Sequence, residues 1–161
     1  MIPEIKSILY ATDLSENAQY AFGYAVSLAN RYDAKIILLH IIPDVSPTAD
    51  SLVINTLGEE KWMELRQSKE KEVLSTIRSR LEKFCDDVKS EVPACPFITD
   101  RIIVKIGNPV EEILHQVKVT NCDLVVMGAH GHGLLSDAMM GSTSRRVVRR
   151  CKKPVLIVRL P

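Results

Sequence analysis

The chain is short of several features that would each assign it to a class of protein. It has 161 residues, of which 7 are glycine and 5% are aromatic, and its net charge is +1. This charge balance argues for no particular partner, and no stretch reaches the roughly 18 apolar residues that span a bilayer. The N-terminus lacks a basic region followed by an apolar run and a cleavage site. We therefore expect a cytoplasmic protein without a signal peptide or a membrane segment.

Cysteine is also too sparse and too scattered to form a familiar motif. The four cysteines are Cys85, Cys95, Cys122 and Cys151. None belongs to a C-x-x-C pair, and no histidine lies at zinc-finger spacing. Because a core of this size needs no covalent support, we expect all four to be reduced thiols. The length fits one domain that spans residues 1–161.

Hydrophobic patterning predicts five strands that alternate with four helices. The predicted strands are residues 5–10, 35–42, 98–106, 123–127 and 155–160, and the predicted helices are about 15–31, 62–84, 108–119 and 142–151. The stretch 43–55, rich in Pro, Ser, Thr and Asp, is predicted as a loop. Alternation of this kind favours an α/β fold with a five-stranded, parallel, doubly wound sheet flanked by helices on both faces, as in Rossmann-like proteins.

Some residues are assigned to helix ends and to buried helix faces. Ser15 and Asn108 are predicted N-caps, and Glu111 is predicted to complete a capping box with Asn108. In the last helix, Val147, Val148 and Cys151 are expected to face inward.

Glycine is concentrated in residues 128–143, which read GAHGHGLLSDAMMGST. Gly128 and Gly131 permit a positive φ or a close approach of the backbone. Gly141 opens the last helix, whose N-terminal amides and partial positive charge suit a phosphate. Ser142 and Thr143 add hydroxyl donors.

The alternative is that these glycines only make turns and that Ser142 only caps a helix. The spacing G-x2-G-x9-G-[ST] occurs by chance at roughly one starting position in tens of thousands, however. Neither a Walker loop nor a Rossmann glycine motif in its usual place is present. In open α/β sheets, ligands bind at the carboxyl ends of the strands where the winding reverses. If the first and fourth strands are neighbours, Asp13 and Gly128 face the same crevice.

Four segments give the chain a family resemblance. They read ILYATDLSENA, LLHII, GNPVEEI and VVMGAHGHGLLSDAMMGSTSRRVVRRCKKPVLIVR. With them the whole chain resembles the universal stress protein family, in the branch whose glycine signature accompanies ATP binding. The resemblance implies an adenine nucleotide alpha hydrolase-like fold and a cofactor that is ATP, or ADP or AMP in its place, with or without Mg²⁺.

The resemblance also implies roles for matching residues. Ala11, Thr12 and Asp13 would lie against the nucleoside. Ile41 would form a wall for adenine, and Met127 and Gly128 would line the sugar. The phosphates would contact Gly131, Gly141, Ser142 and Thr143.

A dimeric regulatory or stress-response switch is the function that the resemblance implies. The homodimer would pair the last strands, Val155–Leu160, edge to edge, since an apolar edge strand otherwise invites aggregation. Two alternatives stay open, namely a slow ATPase that uses Asp13 and a nucleotide-free interaction scaffold. No nucleophile–base arrangement is legible, so no catalytic residue is assigned.

Two further motifs receive plain interpretations. His130 and His132 have too few neighbouring ligands for a metal site, and His130 is expected to be a loop donor near phosphate. His40 is expected to be a satisfied core or dimer-face histidine. The basic run of residues 145–153 has no interleaved aromatics, which favours a solvated helix face over a nucleic-acid partner.

Overall fold

The computed structural model describes residues 1–44, 46–88, 90–93, 95, 99–131 and 139–161. Its strands are β1 (Ser7–Thr12), β2 (Lys35–Pro43), β3 (Thr99–Gly107), β4 (Leu124–Gly128) and β5 (Val155–Val158). Its helices within these residues are α1 (Glu16–Tyr32), α2 (Pro47–Leu57), α3 (Glu59–Asp87), α4 (Pro109–Thr120) and α5 (Ser142–Arg150). No helix in the described part of the chain is long and apolar enough to cross a membrane.

The five strands form one parallel sheet in the order β3-β2-β1-β4-β5. The predicted α/β fold is therefore confirmed. β1 lies at the centre, and the direction of winding reverses between β1 and β4. Ala11 of β1 is the register partner of Met127 of β4, so the ends of these two strands open into the same crevice, as the sequence predicts.

Two hydrophobic clusters cover the two faces of the sheet. Alternate residues of β1 contribute to both, because side chains of a strand point to opposite faces. Ile8 and Tyr10 pack with α1 and α3 on one face, and Leu9 and Ala11 pack with α4 and α5 on the other. Burial on both faces explains why the β2 sequence is almost continuously apolar.

The segment predicted as a loop, residues 43–55, instead contains most of α2. Ser46 caps this helix, with its hydroxyl accepting a hydrogen bond from the Ala49 amide at 3.3 Å, and Pro47 occupies the first turn. Proline at that position suits a helix start. The prediction was wrong because it followed the Pro, Ser, Thr and Asp content of the segment; none of the α2 residues is buried, so the helix adds nothing to the core against which the other helices pack.

Two predicted details of the later helices are also wrong. Asn108 caps α4 as predicted, but the Glu111 carboxylate accepts two hydrogen bonds from Arg150, at 2.6 and 3.3 Å, instead of completing a capping box. In α5, Val147 is fully buried whereas Val148 is 43% exposed. Successive helical residues point about 100° apart, and the short α5 buries only a narrow stripe.

The expectation of four reduced thiols is wrong for one pair. Cys85, near the end of α3, forms a disulfide with Cys95, and their Cα atoms lie 5.6 Å apart. The turn that follows α3 brings the two residues within disulfide distance. A spacing of ten residues matches no sequence motif. Cys122 and Cys151 are free thiols, as predicted.

Asp123 holds the beginning of β1 against the beginning of β4. Its Oδ2 accepts hydrogen bonds from the Lys6 and Ser7 amides at 2.9 and 3.0 Å. Burial acts to raise the pKa of this carboxyl, but the two amides, Lys153 and the Ser7 hydroxyl together hold the pKa below its usual value. The folded chain therefore favours the ionised form.

We expect Asp123→Ala to lower the free energy of unfolding by about 1–2 kcal/mol at neutral pH, because two charge-assisted bonds are lost at a partly exposed site. A carboxyl with a depressed pKa stabilises the fold above its unfolded pKa, and this contribution is lost as the pH falls through the folded pKa. The difference between variant and wild type should therefore shrink below about pH 4. Urea unfolding at several pH values measures this difference in the free energy of unfolding. The control is Asp86→Ala, since Asp86 is exposed. A difference that is the same at pH 3 and pH 7 would contradict this account.

Candidate functional site

A cavity of about 600 Å³ opens at the carboxyl ends of β1, β2 and β4, beside the beginning of α5. This is the crevice where the winding of the sheet reverses. Every residue that the sequence analysis assigned to the site lines this cavity. They are Ala11, Thr12, Asp13, Ile41, Met127, Gly128, His130, Gly131, Gly141, Ser142 and Thr143.

The loop after β1 holds the Asp13 carboxylate in one orientation. Oδ1 of Asp13 accepts hydrogen bonds from the amide and the hydroxyl of Ser15, at 3.0 and 2.5 Å. Thr12 Oγ1 accepts a bond from the Leu14 amide at 3.0 Å. Leu14 has a φ of 65°, a conformation that a leucine adopts only when its surroundings enforce it. Part of that enforcement comes from α3, since Arg80 donates to the Leu14 carbonyl at 2.8 Å.

Gly128 and Gly131 allow the backbone to approach neighbouring polar side chains. A Cβ on Gly131 would lie 2.5 Å from Asp13 Oδ2, and one on Gly128 would lie 2.7 Å from Asn17 Oδ1. Neither glycine has a positive φ; among the described glycines only Gly58 does. Of the two reasons that the sequence left open for these glycines, close approach is therefore the one that applies.

Asn17, which the sequence analysis missed, fixes the first part of the glycine segment. It is only 5% exposed. Its Oδ1 accepts a hydrogen bond from the His130 amide at 2.9 Å, and its Nδ2 donates to the Val158 carbonyl at 3.5 Å. The residue thus joins α1, the end of β4 and the end of β5. Its position four residues before Ala21, on the apolar stripe of α1, was the available signal.

Ser144, also missed, joins the two ends of the glycine segment. Its hydroxyl lies within hydrogen-bonding distance of the Gly128 and Ala129 carbonyls, at 2.9 and 3.2 Å. The Gly141 amide donates to the same Ala129 carbonyl at 2.8 Å. These bonds hold the beginning of α5 at the end of β4. The two segments that they join flank residues 132–138 in sequence. His132 lies outside the described residues.

The N-terminus of α5 differs from those of the other helices described. Each of α1 to α4 has at least one acidic residue in its first turn, but α5 has none. Its N-cap residue is Gly141, which has no side chain to cap it. Ser142 is exposed, Thr143 is half-buried, and neither hydroxyl bonds to a described residue. The positive end of the helix and two hydroxyl groups are thus open to an anion at the cavity.

The opposite side of the cavity is apolar. Pairing of β1 with β2 ends at Thr12 and His40, so Ile41 pairs with β3 alone and lies beyond the end of β1. Ile41 and Met127 are 7% and 5% exposed. His40, which also lines the cavity, is buried and donates from Nδ1 to the Thr12 carbonyl at 2.8 Å. Of the two roles expected for it, that of a satisfied core histidine is the one that the structure shows. Further lining residues not assigned from sequence are Ala18, Leu39, Pro43, Pro109, Ile113, Met139 and Met140.

Few charged groups line the cavity. Among the described lining residues, Asp13 is the one carboxylate and Arg145 is the one lysine or arginine. His130 has a buried Nδ1 without a hydrogen-bond partner among these residues. The described part of the chain contains no group of three or more side chains that could together hold a metal ion.

Comparisons with known proteins give one consistent family. A model of the universal stress protein family matches residues 4–159. The chain is 30% identical to universal stress protein MJ0577 of Methanocaldococcus jannaschii, over 96% of this chain and 94% of that protein. It is 31% identical to universal stress protein YxiE of Bacillus subtilis, over 94% of this chain and 97% of that protein.

Solved structures agree on the fold. Universal stress protein UspA from Lactobacillus plantarum has a TM-score of 0.70 at 23% identity and covers 98% of this chain and 100% of its own. A universal stress protein solved in complex with cAMP has a TM-score of 0.57 at 21% identity and covers 98% of each chain.

We expect Asn17→Ala to lower the free energy of unfolding by about 1–3 kcal/mol, because it leaves the His130 amide without its acceptor in a partly buried site. Hydrogen exchange of that amide should also become faster. Urea unfolding and amide exchange measure the two effects. The control is Asn30→Ala, an exposed residue of the same helix, for which a change within about 0.5 kcal/mol is expected. Equal stability of the two variants would show that the Asn17 bonds do not hold the segment.

Proposed function

The chain belongs to the universal stress protein family, and from this premise we propose that it binds an adenine nucleotide, ATP in the first place, in the cavity between β1, β4 and α5. The observation that carries the proposal is the N-terminus of α5. It has no acidic residue in its first turn, it faces the cavity, and it brings two hydroxyl groups with it. Such a helix end suits phosphate.

The size and lining of the cavity fit a nucleotide. Its volume of about 600 Å³ falls in the usual range for small-molecule sites, roughly 300–1,000 Å³. The buried side chains of Ile41 and Met127 offer apolar walls to the base, and the Asp13 carboxylate offers an acceptor to the ribose hydroxyls. Ser142, Thr143 and the first amides of α5 would hold the phosphates. His130, which lines the same cavity, would donate to the same groups.

A fold neighbour adds support for adenine. One universal stress protein of the same fold was solved in complex with cAMP, which contains adenine, ribose and a single phosphate. The three parts of such a ligand correspond to the apolar wall, the Asp13 carboxylate and the α5 terminus. Any Mg²⁺ would depend on the phosphates and on water for most of its ligands, because Asp13 is the one carboxylate among the described lining residues.

The proposal extends to a homodimer that acts as a regulatory switch. β5 lies at an edge of the sheet, and its sequence VLIV is apolar. Leu160, just beyond it, is 45% exposed. An apolar edge strand is protected when it pairs with a second copy. Asn17 bonds both to the Val158 carbonyl of β5 and to the His130 amide at the cavity. This side chain would therefore connect the dimer interface with the nucleotide site.

The direct test is to purify the protein without added nucleotide, denature it and identify the released small molecules by chromatography and mass spectrometry. ATP or ADP at about one molecule per chain supports the proposal. A protein that releases nothing and also fails to bind added ATP with Mg²⁺ overturns it. Size-exclusion chromatography with light scattering tests the dimer, and a monomer at micromolar concentration would refute that part.

We expect Gly131→Ala to weaken ATP binding by tenfold or more while the protein stays folded. The new Cβ would lie 2.5 Å from Asp13 Oδ2, so the carboxylate or the loop must move away. Isothermal titration calorimetry measures the affinity. The control is Gly23→Ala, because a Cβ on Gly23 meets nothing within 4 Å and alanine favours the helix. Unchanged affinity in Gly131→Ala would show that the close approach of Gly131 to Asp13 does not contribute to ATP binding.

A further inference from the structure

Arg145 is a charged residue of the cavity to which the proposed function assigns no contact. It lies in the first part of α5, four residues after Gly141, and its amide closes the first turn by donating to the Gly141 carbonyl at 3.0 Å. The residue lines the cavity. Among the described residues, no carboxylate lies within salt-bridge distance of it. By contrast, Arg150 at the other end of the helix pairs with Glu111 at 2.6 Å.

This position is unfavourable for the helix alone. A cation near the positive N-terminal end of a helix is destabilising, whereas an anion there is stabilising. Arg145 increases a positive potential that no acidic residue in the first turn of α5 offsets. Helical side chains lean toward the N-terminus of their helix, and Arg145 lines the same cavity as Ser142 and Thr143.

We propose that Arg145 selects nucleotides by the length of their phosphate chain. This inference rests on the proposed function. The first phosphate would contact Ser142, Thr143 and the terminal amides, which suffice for a monophosphate. The additional charge of a di- or triphosphate would extend along the first turn of α5, where Arg145 is the one permanent cation among the described lining residues. The cleft therefore takes ATP and ADP in preference to AMP and cAMP.

The discriminating experiment measures the affinities of ATP, AMP and cAMP for nucleotide-free wild type, Arg145→Gln, Arg145→Lys and Arg146→Gln. Isothermal titration calorimetry at fixed ionic strength gives each dissociation constant. Arg146 is the matched control, because it is the adjacent arginine of the same helix, is exposed and does not line the cavity.

For Arg145→Gln we expect the affinity for ATP to fall by about tenfold. The affinities for AMP and cAMP should change by less than about twofold. Arg145→Lys should keep much of the preference for ATP, because it retains the positive charge. Part of the preference should be lost, because lysine lacks the planar guanidinium group. Arg146→Gln should leave all three affinities near those of wild type. The salt dependence of ATP binding should be weaker in Arg145→Gln than in wild type.

Two results would overturn the inference while leaving the proposed function intact. One is an ATP affinity that Arg145→Gln does not change. The other is an equal loss for ATP and AMP, which would mean that Arg145 contacts the first phosphate or only supports the helix. A wild-type protein that binds none of the three ligands would instead refute the proposed function itself. Thermal unfolding confirms that the variants remain folded.

Discussion

The pairing of β1 with β4 at the centre of the sheet is the constraint on which the site depends. It places Ala11 beside Met127, although more than a hundred residues separate them in sequence. The loops that leave these two strands must then diverge to opposite faces, and the space between them is the cavity. At the other end of the same strands, Asp123 fixes their relative register through the Lys6 and Ser7 amides. Register at one end thus determines geometry at the other.

The glycine segment is shaped by polar side chains that reach it from elsewhere in the fold. Asn17 and Asp13 approach Gly128 and Gly131 so closely that a side chain at either glycine would collide with them. Ser144 and Gly141 then return the chain to the end of β4 through a shared carbonyl, that of Ala129. The absence of side chains at the two glycines is therefore as much a part of the site as the carboxylate and the hydroxyls.

The sequence predicted those features that depend on local pattern. Continuous apolar runs located all five strands, and alternation with helices predicted the parallel sheet. The ends were less accurate: β1 begins at Ser7, two residues after the predicted start, because pairing with Lys35 of β2 begins there. Family resemblance and glycine spacing together predicted eleven site residues, and all of them line one cavity.

Features set by distant partners could not be predicted in this way. The Glu111 carboxylate turns to Arg150, which lies 39 residues away, instead of to its own helix end. The Cys85–Cys95 disulfide depends on the path of the turn after α3, and α2 adds no buried residue to the core. Asn17 lies on the apolar stripe of α1, which indicates burial, but its partners at His130 and Val158 are more than a hundred residues away. In each case the deciding contact involves a part of the fold that local periodicity does not describe.

The strained backbone at Leu14 connects the two faces of the sheet at the end of β1. The Leu14 side chain packs into the cluster under α1 and α3, and its carbonyl is held by Arg80, while the preceding residue presents its carboxylate to the cleft on the other side. A ligand that pulls the Asp13 backbone would turn the peptide between Asp13 and Leu14, whose amide bonds to Thr12, and through Leu14 it would act on the carbonyl that Arg80 holds. A contact made to α3 at Arg80 and a ligand bound at Asp13 would then act on the same two-residue segment, and any effect of one on the affinity for the other would be matched by an equal effect in reverse.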